Sequence, residues 1–322
     1  MPRILSGIKP TGRLHIGNYF GMMRPSIDWQ DKGEAFYFIA DYHALTTVHD
    51  PAKLRADTRN VAIDFLACGL DPAKATFFKQ SDIPQVTELT WLLSVLTPMG
   101  LLERCHAYKD AIAKGFSASH GLFAYPVLMA ADILIYDADV VPVGKDQKQH
   151  VEVTRDLAIK MNETYGASLL RLPEPSILPE LATIPGLDGQ KMSKSYDNTI
   201  ELFLEEKALR KKIMGIQTDS TPVEAPKDPA SSSIVGLYRL FASPGEVETM
   251  EAEFRAGGVG YGDFKKRLFG AVWEYFAPAR ARRAEIESDP AYVDEVLRRG
   301  AERAGTLASE TLLRVRKAMG LS

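Results

Sequence analysis

Arg3-Ile4-Leu5-Ser6-Gly7-Ile8-Lys9-Pro10-Thr11-Gly12-Arg13-Leu14-His15-Ile16-Gly17-Asn18 is the stretch from which the fold can be read. Its first five residues are a short apolar run that ends at a glycine, which predicts a strand. A turn rich in Pro and Gly follows, and a helical stretch begins at about Gly17. In an open α/β sheet, ligands sit beyond the carboxyl ends of the strands, often at a helix N-terminus. Gly12 and Gly17 allow the backbone to approach a ligand closely. His15 and Asn18 are three apart, so both can face one side of the first helical turn. Their neutral donors suit phosphate oxygens. On spacing alone the segment also reads as a glycine turn followed by a capping asparagine.

Working outward, Ala35-Phe36-Tyr37-Phe38-Ile39-Ala40-Asp41 is a continuous apolar run, as expected of a strand buried on both faces. Asp50-Pro51 opens a helix, with Asp as the cap and Pro in the first turn. That helix runs to about Cys68 and stops at Gly69. Ala75–Lys79 and Val140–Gly144 read as a third and a fourth strand. Strands alternating with helices predict a parallel sheet with helices on both faces. The run from about 80 to 138 is helical and interrupts that alternation as an insertion. Leu172–Gly189 and Thr221–Ser233 read as loops rich in Pro, Gly or Ser. The rest is helical. The expectation is a Rossmann-like doubly wound parallel sheet in residues 1–190, with a helical insertion at about 80–138. Residues 191–322 carry a lysine-rich loop and a C-terminal all-helical domain, whose last helix is expected to pack back on the sheet domain.

The chain has 322 residues, a formal net charge of −3, 45% hydrophobic and 25% charged residues. This is the composition of a folded globular protein with about two domains. It excludes a disordered chain or a disulfide scaffold. Cys68 and Cys105 are too few for a zinc pattern and predict buried, reduced thiols in a cytosolic protein. The first residues lack the apolar core of a signal peptide. Leu122–Tyr136 is broken by Asp132 and too short to span a bilayer. No membrane role is expected, and the net charge gives no global attraction to nucleic acid.

Lys191-Met192-Ser193-Lys194-Ser195 follows the Gly186–Gly189 loop and places two lysines and two hydroxyls in five residues. That is a concentrated polyphosphate binder on a loop able to move, although a charge run is also compatible with a solvated face. Together, His15-Ile16-Gly17-Asn18 and this segment resemble the HIGH and KMSKS signatures of class I aminoacyl-tRNA synthetases. The KMSKS match holds at all five positions. Within that class, Ser6–Pro10, Asp41–Ala44, Leu128–Leu134 and Val141–His150 resemble the tryptophanyl-tRNA synthetase family. The sister tyrosyl-tRNA synthetases and a non-catalytic protein that binds tRNA or amino acid are the alternatives.

The resemblance implies a ligase that joins L-tryptophan to tRNA(Trp) through tryptophanyl-adenylate. It implies His15, Asn18, Lys191 and Lys194 as catalytic residues. ATP would be held by Lys9, Pro10, Thr11, Gly17, Asn18, Gly144, Lys145, Asp146, Ile184, Lys191, Met192, Ser193, Lys194 and Ser195. Lys9 and Lys145 depart from the family's usual Gln and Glu. Lys109 aligns with a basic position, while Ala111 stands where another basic residue is expected and Lys114 is a possible substitute. Asp132 matches the acceptor for the indole N–H. Leu5, Gly7, His43, Tyr125 and Met129 match pocket walls, and Gln147 lies toward the amino group. A buried carboxylate needs a partner in any reading, whereas Met129 is equally explained by packing.

Mg²⁺ is expected only with ATP as substrate. No protein metal site and no tightly bound cofactor are expected. A homodimer in the cytoplasm is also implied. The helical domain would read the anticodon. Arg280, Arg282 and Arg283, then Arg298 and Arg299, then Arg314, Arg316 and Lys317 are its basic clusters; each also reads as a solvated helix face, and the resemblance does not say which arginine meets RNA. Asn162-Glu163-Thr164 and the glycines of Gly257–Gly262 are coincidental patterns: a sequon in a cytosolic chain, and a loop with no strand before it.

Overall fold

The computed structural model describes residues 1–113, 115, 119–144, 147–177 and 184–321, apart from the side chains of Ala107, Ala111 and Ser195. Five strands form one parallel sheet: β1 (Arg3–Ile8), β2 (Glu34–Ile39), β3 (Ala75–Lys79), β4 (Val140–Val143) and β5 (Glu174–Ile177). Their order is β3-β2-β1-β4-β5, the doubly wound arrangement expected from the sequence. β2 and β3 lie at the inner and outer positions on one side, and their residues are buried from Ala35 to Ile39 and from Ala75 to Phe78. A helix-covered parallel sheet hides both faces, which is why these runs do not alternate.

The fifth strand was not expected. Glu174-Pro175-Ser176-Ile177 falls inside the segment read as a loop, yet it pairs with β4 from Val140–Glu174 to Val143–Ile177. Pro175 cannot donate to a ladder, a loss that costs least at an edge, and β5 is an edge strand.

Helix Pro51–Ala67 is set by its cap: Asp50 Oδ1 accepts from the backbone N–H of Ala52 (2.8 Å) and Lys53 (3.2 Å). Gly69 follows at φ +108°, a conformation that glycine alone adopts easily. The insertion holds helices Gln85–Ser94, Met99–Glu103, His106–Ala113 and His120–Leu134.

The chain divides into two compact units, and the division differs from a cut at residue 190. One comprises Met1–Gly12, Arg24–Pro179 and Ile286–Ser322; the other comprises Arg13–Met23 and Glu180–Glu285. The HIGN turn therefore belongs with the KMSKS loop, not with the sheet.

In the first unit, the last helix, Pro290–Ala318, lies on β3. Gly300 is the contact point: a Cβ there would sit 1.8 Å from the carbonyl oxygen of Phe77. Glycine inside a helix costs about 1 kcal/mol, but here nothing larger fits. Ala304 and Ala308 continue the same buried face. Arg316 bonds Glu88, and Arg314 bonds Asp137 and the Leu169 carbonyl.

The second unit is helical over Glu206–Met214, Ser233–Tyr238, Pro244–Ala256 and Tyr261–Tyr275. Its Pro-rich loop is organised by a buried cation. Lys227 Nζ donates to the carbonyls of Pro222, Val223 and Ala225, each at 3.0 Å. The two cysteines form no disulfide; Cys105 is buried and Cys68 only half-buried.

Candidate active site

In the second unit, the HIGN segment forms one helical turn, Ile16–Asn18, capped reciprocally. The His15 Nδ1 atom accepts from the Asn18 backbone N–H (3.3 Å), and Asn18 Oδ1 accepts from the His15 backbone N–H (3.3 Å). This exchange fixes the polarity of both side chains. His15 must carry its proton on Nε2, because Nδ1 is an acceptor, and Asn18 is left with its amide N–H groups. Burial and the positive charge of Lys194 lower the His15 pKa to about 4, against an opposing pull from Glu201. The histidine is neutral at pH 7 and is a donor. Five π-helical residues, Tyr19–Met23, follow the turn; such segments recur at functional sites.

The KMSKS segment is locked to this turn. Met192 is buried, its Sδ accepts from the Gly17 N–H at 3.4 Å, and its N–H donates to the Ile184 carbonyl at 2.8 Å. A Cβ on Gly17 would lie 3.0 Å from the His15 ring and 3.4 Å from Met192 Cβ. A side chain here would press the His15 ring back by a few tenths of an ångström while only meeting Met192. Lys191 and Lys194 are exposed on either side of Met192, and Ser193 is half-buried.

Asn198, three residues past the motif, organises the loop and was missed in the sequence. It is 2% exposed. Its Oδ1 accepts from the Ser193 N–H (2.8 Å), and its Nδ2 donates to Asp188 Oδ1 (2.7 Å) and to the Lys191 carbonyl (3.1 Å). Gly186 packs so tightly on Asn198 that a Cβ there would be 2.4 Å from its Cγ.

In the first unit, Asp132 is 2% exposed on helix His120–Leu134. The partner its burial demands is double: Gln80 Nε2 lies 2.8 and 2.9 Å from its two oxygens, and His43 Nε2 lies 2.8 Å from Oδ2. Burial raises the carboxyl's pKa, while the His43 and Gln80 bonds pull it back toward the ionised form. Tyr125 and Met129 stand at helical spacing from Asp132 on the same helix. The Tyr125 hydroxyl is 2.6 Å from His150 Nε2, and its ring meets the His43 ring edge-on at 6.0 Å. Met129 is half-buried against the core, and Leu5 is within it. Gly7 backs onto Phe38, whose ring a Cβ would strike at 2.4 Å.

Lys9 Nζ donates to Thr46 Oγ1 at 2.9 Å, and burial lowers its pKa. Pro10 is buried and Thr11 exposed in the turn after β1. Gly144 ends β4 and accepts from the Gln147 N–H at 3.0 Å. Lys145, Asp146 and Lys114 lie outside the described residues. Among the described residues, no cluster of three or more His, Cys, Asp or Glu could hold a metal ion, and no helix is long and apolar enough to cross a membrane.

The arginines proposed for RNA are largely engaged. Arg280 stacks 3.5 Å above the Trp273 ring and donates to the Trp273 carbonyl, and burial lowers its pKa. Arg282 pairs with Glu285, Arg283 lies over Phe203, and Arg298 bonds Glu295 and Glu302. On helix Glu206–Met214, by contrast, Lys207 and Lys211 show no ion pair among the described residues, and Arg210 lies over the Phe269 ring.

Residues 1–277 match the family described as tRNA synthetases class I (W and Y). A tryptophan–tRNA ligase of Rhodopirellula baltica is 58% identical over 319 residues, 99% of this chain and 99% of its own. One from Fusobacterium nucleatum is 53% identical over 321 residues, 100% of this chain and 98% of its own. The crystal structure of tryptophanyl-tRNA synthetase from Campylobacter jejuni, complexed with ADP and tryptophan, superposes with a TM-score of 0.94. It is 48% identical, and the match covers 99% of this chain and 100% of that one. A likeness this close along the whole length means that the chain belongs to the tryptophanyl-tRNA synthetases, in the class I family.

Proposed function

We infer that this chain is a tryptophan–tRNA ligase that activates L-tryptophan with ATP and passes it to tRNA(Trp). The observation that carries this is the contact of Met192 with the Gly17 N–H, which joins the two signature motifs in one polar cluster. The tryptophan carboxylate attacks the α-phosphorus of ATP and pyrophosphate leaves. A terminal ribose hydroxyl of the tRNA then attacks the acyl carbon and releases AMP. No protein nucleophile is needed; the work is positioning and stabilisation of charge. His15 Nε2–H and the Asn18 amide are neutral donors for phosphate oxygens. Lys191 and Lys194 are cations for the charge that builds on departing pyrophosphate. Mg²⁺ arrives with ATP as part of the substrate.

Asp132 is the acceptor for the indole N–H, with Tyr125, Met129 and His43 shaping the pocket and Gln147 toward the amino group. Lys9, Pro10, Thr11, Gly144, Lys145, Asp146 and Ile184 complete the proposed ATP contacts. Ser193 and Ser195 join them from the loop. Tryptophan-dependent exchange of pyrophosphate into ATP tests the reading. Exchange with tryptophan and none with tyrosine is expected; absence of exchange with any amino acid would leave only a binding protein.

The working form is proposed to be a cytoplasmic homodimer. Trp91 (68% exposed), Val95 (52%) and Met99 (64%) are large apolar side chains left open on the insertion, with Trp91 and Val95 one helical turn apart, and exposed apolar surface of this kind favours a partner. Trp91→Glu should shift the sedimenting species toward monomer; an unchanged dimer would place the interface elsewhere. For tRNA, the uncommitted cations Lys207, Arg210 and Lys211 fit a phosphate backbone better than the engaged Arg280.

A further inference from the structure

Gln80 lies immediately past the carboxyl end of β3, in the 3-10 turn Gln80–Asp82, and is 1% exposed. Its two amide atoms have separate tasks. Oε1 accepts from the backbone N–H groups of Tyr42 (3.1 Å) and His43 (3.4 Å). That commits the oxygen, so the amide cannot turn over, and Nε2 must face the two Asp132 oxygens. The residue whose backbone Gln80 grips is also the residue whose ring meets Asp132 Oδ2. One side chain therefore sets both partners of the buried carboxylate.

The turn itself is pinned next door: Asp41 accepts from the Ser81 N–H (2.9 Å) and from Ser81 Oγ (2.5 Å). An ionised carboxylate has about four acceptor positions. The bonds from Gln80 and His43 fill one side of the group and leave acceptor capacity for one ligand donor.

We propose that Gln80 is the positioning residue for tryptophan selection, holding Asp132 as a fixed, ionised acceptor that rewards an aromatic ring bearing an N–H. This rests on the tryptophan reading above. Without Gln80, one buried oxygen loses its donor and the carboxylate gains freedom to rotate or to take a proton. A protonated carboxyl would offer a donor where the indole needs an acceptor. The titratable groups around Asp132 are His43 and Asp41 on the turn after β2, and Tyr136 beyond the end of its own helix.

The test uses full-length Gln80→Met and Gln80→Glu in pyrophosphate exchange, with tryptophan and with its benzothienyl analogue, in which sulfur replaces N–H. In Gln80→Met the tryptophan KM should rise about tenfold, as for loss of a hydrogen bond to a charged group. The KM for ATP should hold, and the preference for tryptophan over the analogue should fall by about the same factor. In Gln80→Glu the new carboxyl donates only when protonated, so the preference should decline as pH rises, a slope absent from the parent. This near-isosteric variant also decides the matter if Gln80→Met does not fold. A preference equal to the parent's in whichever variant folds, with no pH slope in Gln80→Glu, would make Gln80 a packing residue and overturn the proposal. If the parent itself shows no tryptophan-dependent exchange, the function fails, not the role of Gln80 within it.

Discussion

Replacing Asn198 with alanine isolates the geometry of the KMSKS loop. The side chain makes two bonds to loop backbone, from the Ser193 N–H at 2.8 Å and to the Lys191 carbonyl at 3.1 Å, and one to Asp188 at 2.7 Å. A neutral hydrogen bond is worth about 1 kcal/mol, so the two backbone bonds amount to about 2 kcal/mol. Asp188 is half-buried and its carboxylate can still reach water, so its bond is left out of the sum. The loop's own backbone contact, from the Leu187 N–H to the Asn198 carbonyl, survives in the variant. The loss therefore falls on the placement of Lys191 and Ser193. If that placement is needed mainly in the transition state, about 2 kcal/mol converts to about a thirtyfold drop in kcat for adenylate formation. Pyrophosphate exchange reads it directly, with tryptophan KM as the control, because the Asn198 side-chain bonds go to its own loop. Asn198→Asp keeps the acceptor for Ser193 but sets a carboxylate against Asp188, and should be worse than alanine. Its defect should be relieved when Asp188 becomes Asn, since the donor and acceptor are then exchanged. A kcat within about twofold of the parent in Asn198→Ala, or a parallel rise in tryptophan KM, would refute this assignment.

Lys194→Ala should lower kcat for adenylate formation far more than it raises the KM for ATP; a change confined to KM would make Lys194 a ground-state contact. His15 has its pKa depressed to about 4 from an ordinary 6.5, so the unfolded chain takes up this proton first as pH falls. Its contribution to stability is complete above pH 6.5 and is lost progressively toward pH 4. His15→Gln should therefore narrow the gap in melting temperature between pH 7 and pH 4.5, and an equal gap in parent and variant would contradict the depressed pKa. Removing the charges of Lys207, Arg210 and Lys211 together should weaken tRNA charging and flatten its salt dependence, with exchange intact. The same removal at Arg280, Arg282 and Arg283 should lower the melting temperature and depress both activities; a selective loss of charging there would return the RNA surface to those arginines.

The sheet was legible where a strand is buried on both faces, because runs such as Ala35–Ile39 have no other good explanation. β5 was not legible: Glu174 and Pro175 are poor strand residues, and their position at an edge is known only once β4 is in place. The two signature motifs were visible as residue types, but their contact is not a sequence property; it depends on the Met192 sulfur reaching the Gly17 N–H. Asp132 announced itself as a polar residue among apolar neighbours. Gln80 gave no such sign, because a glutamine after a strand is unremarked until Tyr42, His43 and Asp132 converge on it. Asn198 was invisible for the same reason. The arginine clusters show a different limit. Charge can be counted from sequence, but whether Trp273, Glu295 or Glu302 has already claimed it cannot.

The last helix has a consequence for how the molecule comes into being. Its Arg316 bonds Glu88 across 228 positions of chain, and its Gly300 seats on the backbone of β3. The face of β3 made early in synthesis therefore waits, uncovered, while residues 180–285 of the second unit are translated. Only when Pro290–Ala318 clears the ribosome can the first unit close. Long-range closure of this kind is slow and leaves apolar surface exposed to misassembly meanwhile. A message truncated within that helix would yield a product with both signature motifs present but a bare sheet, and such a chain is a natural client of chaperones and proteases. The stability of the first unit is thus tied to a helix that is made only after residues 180–285.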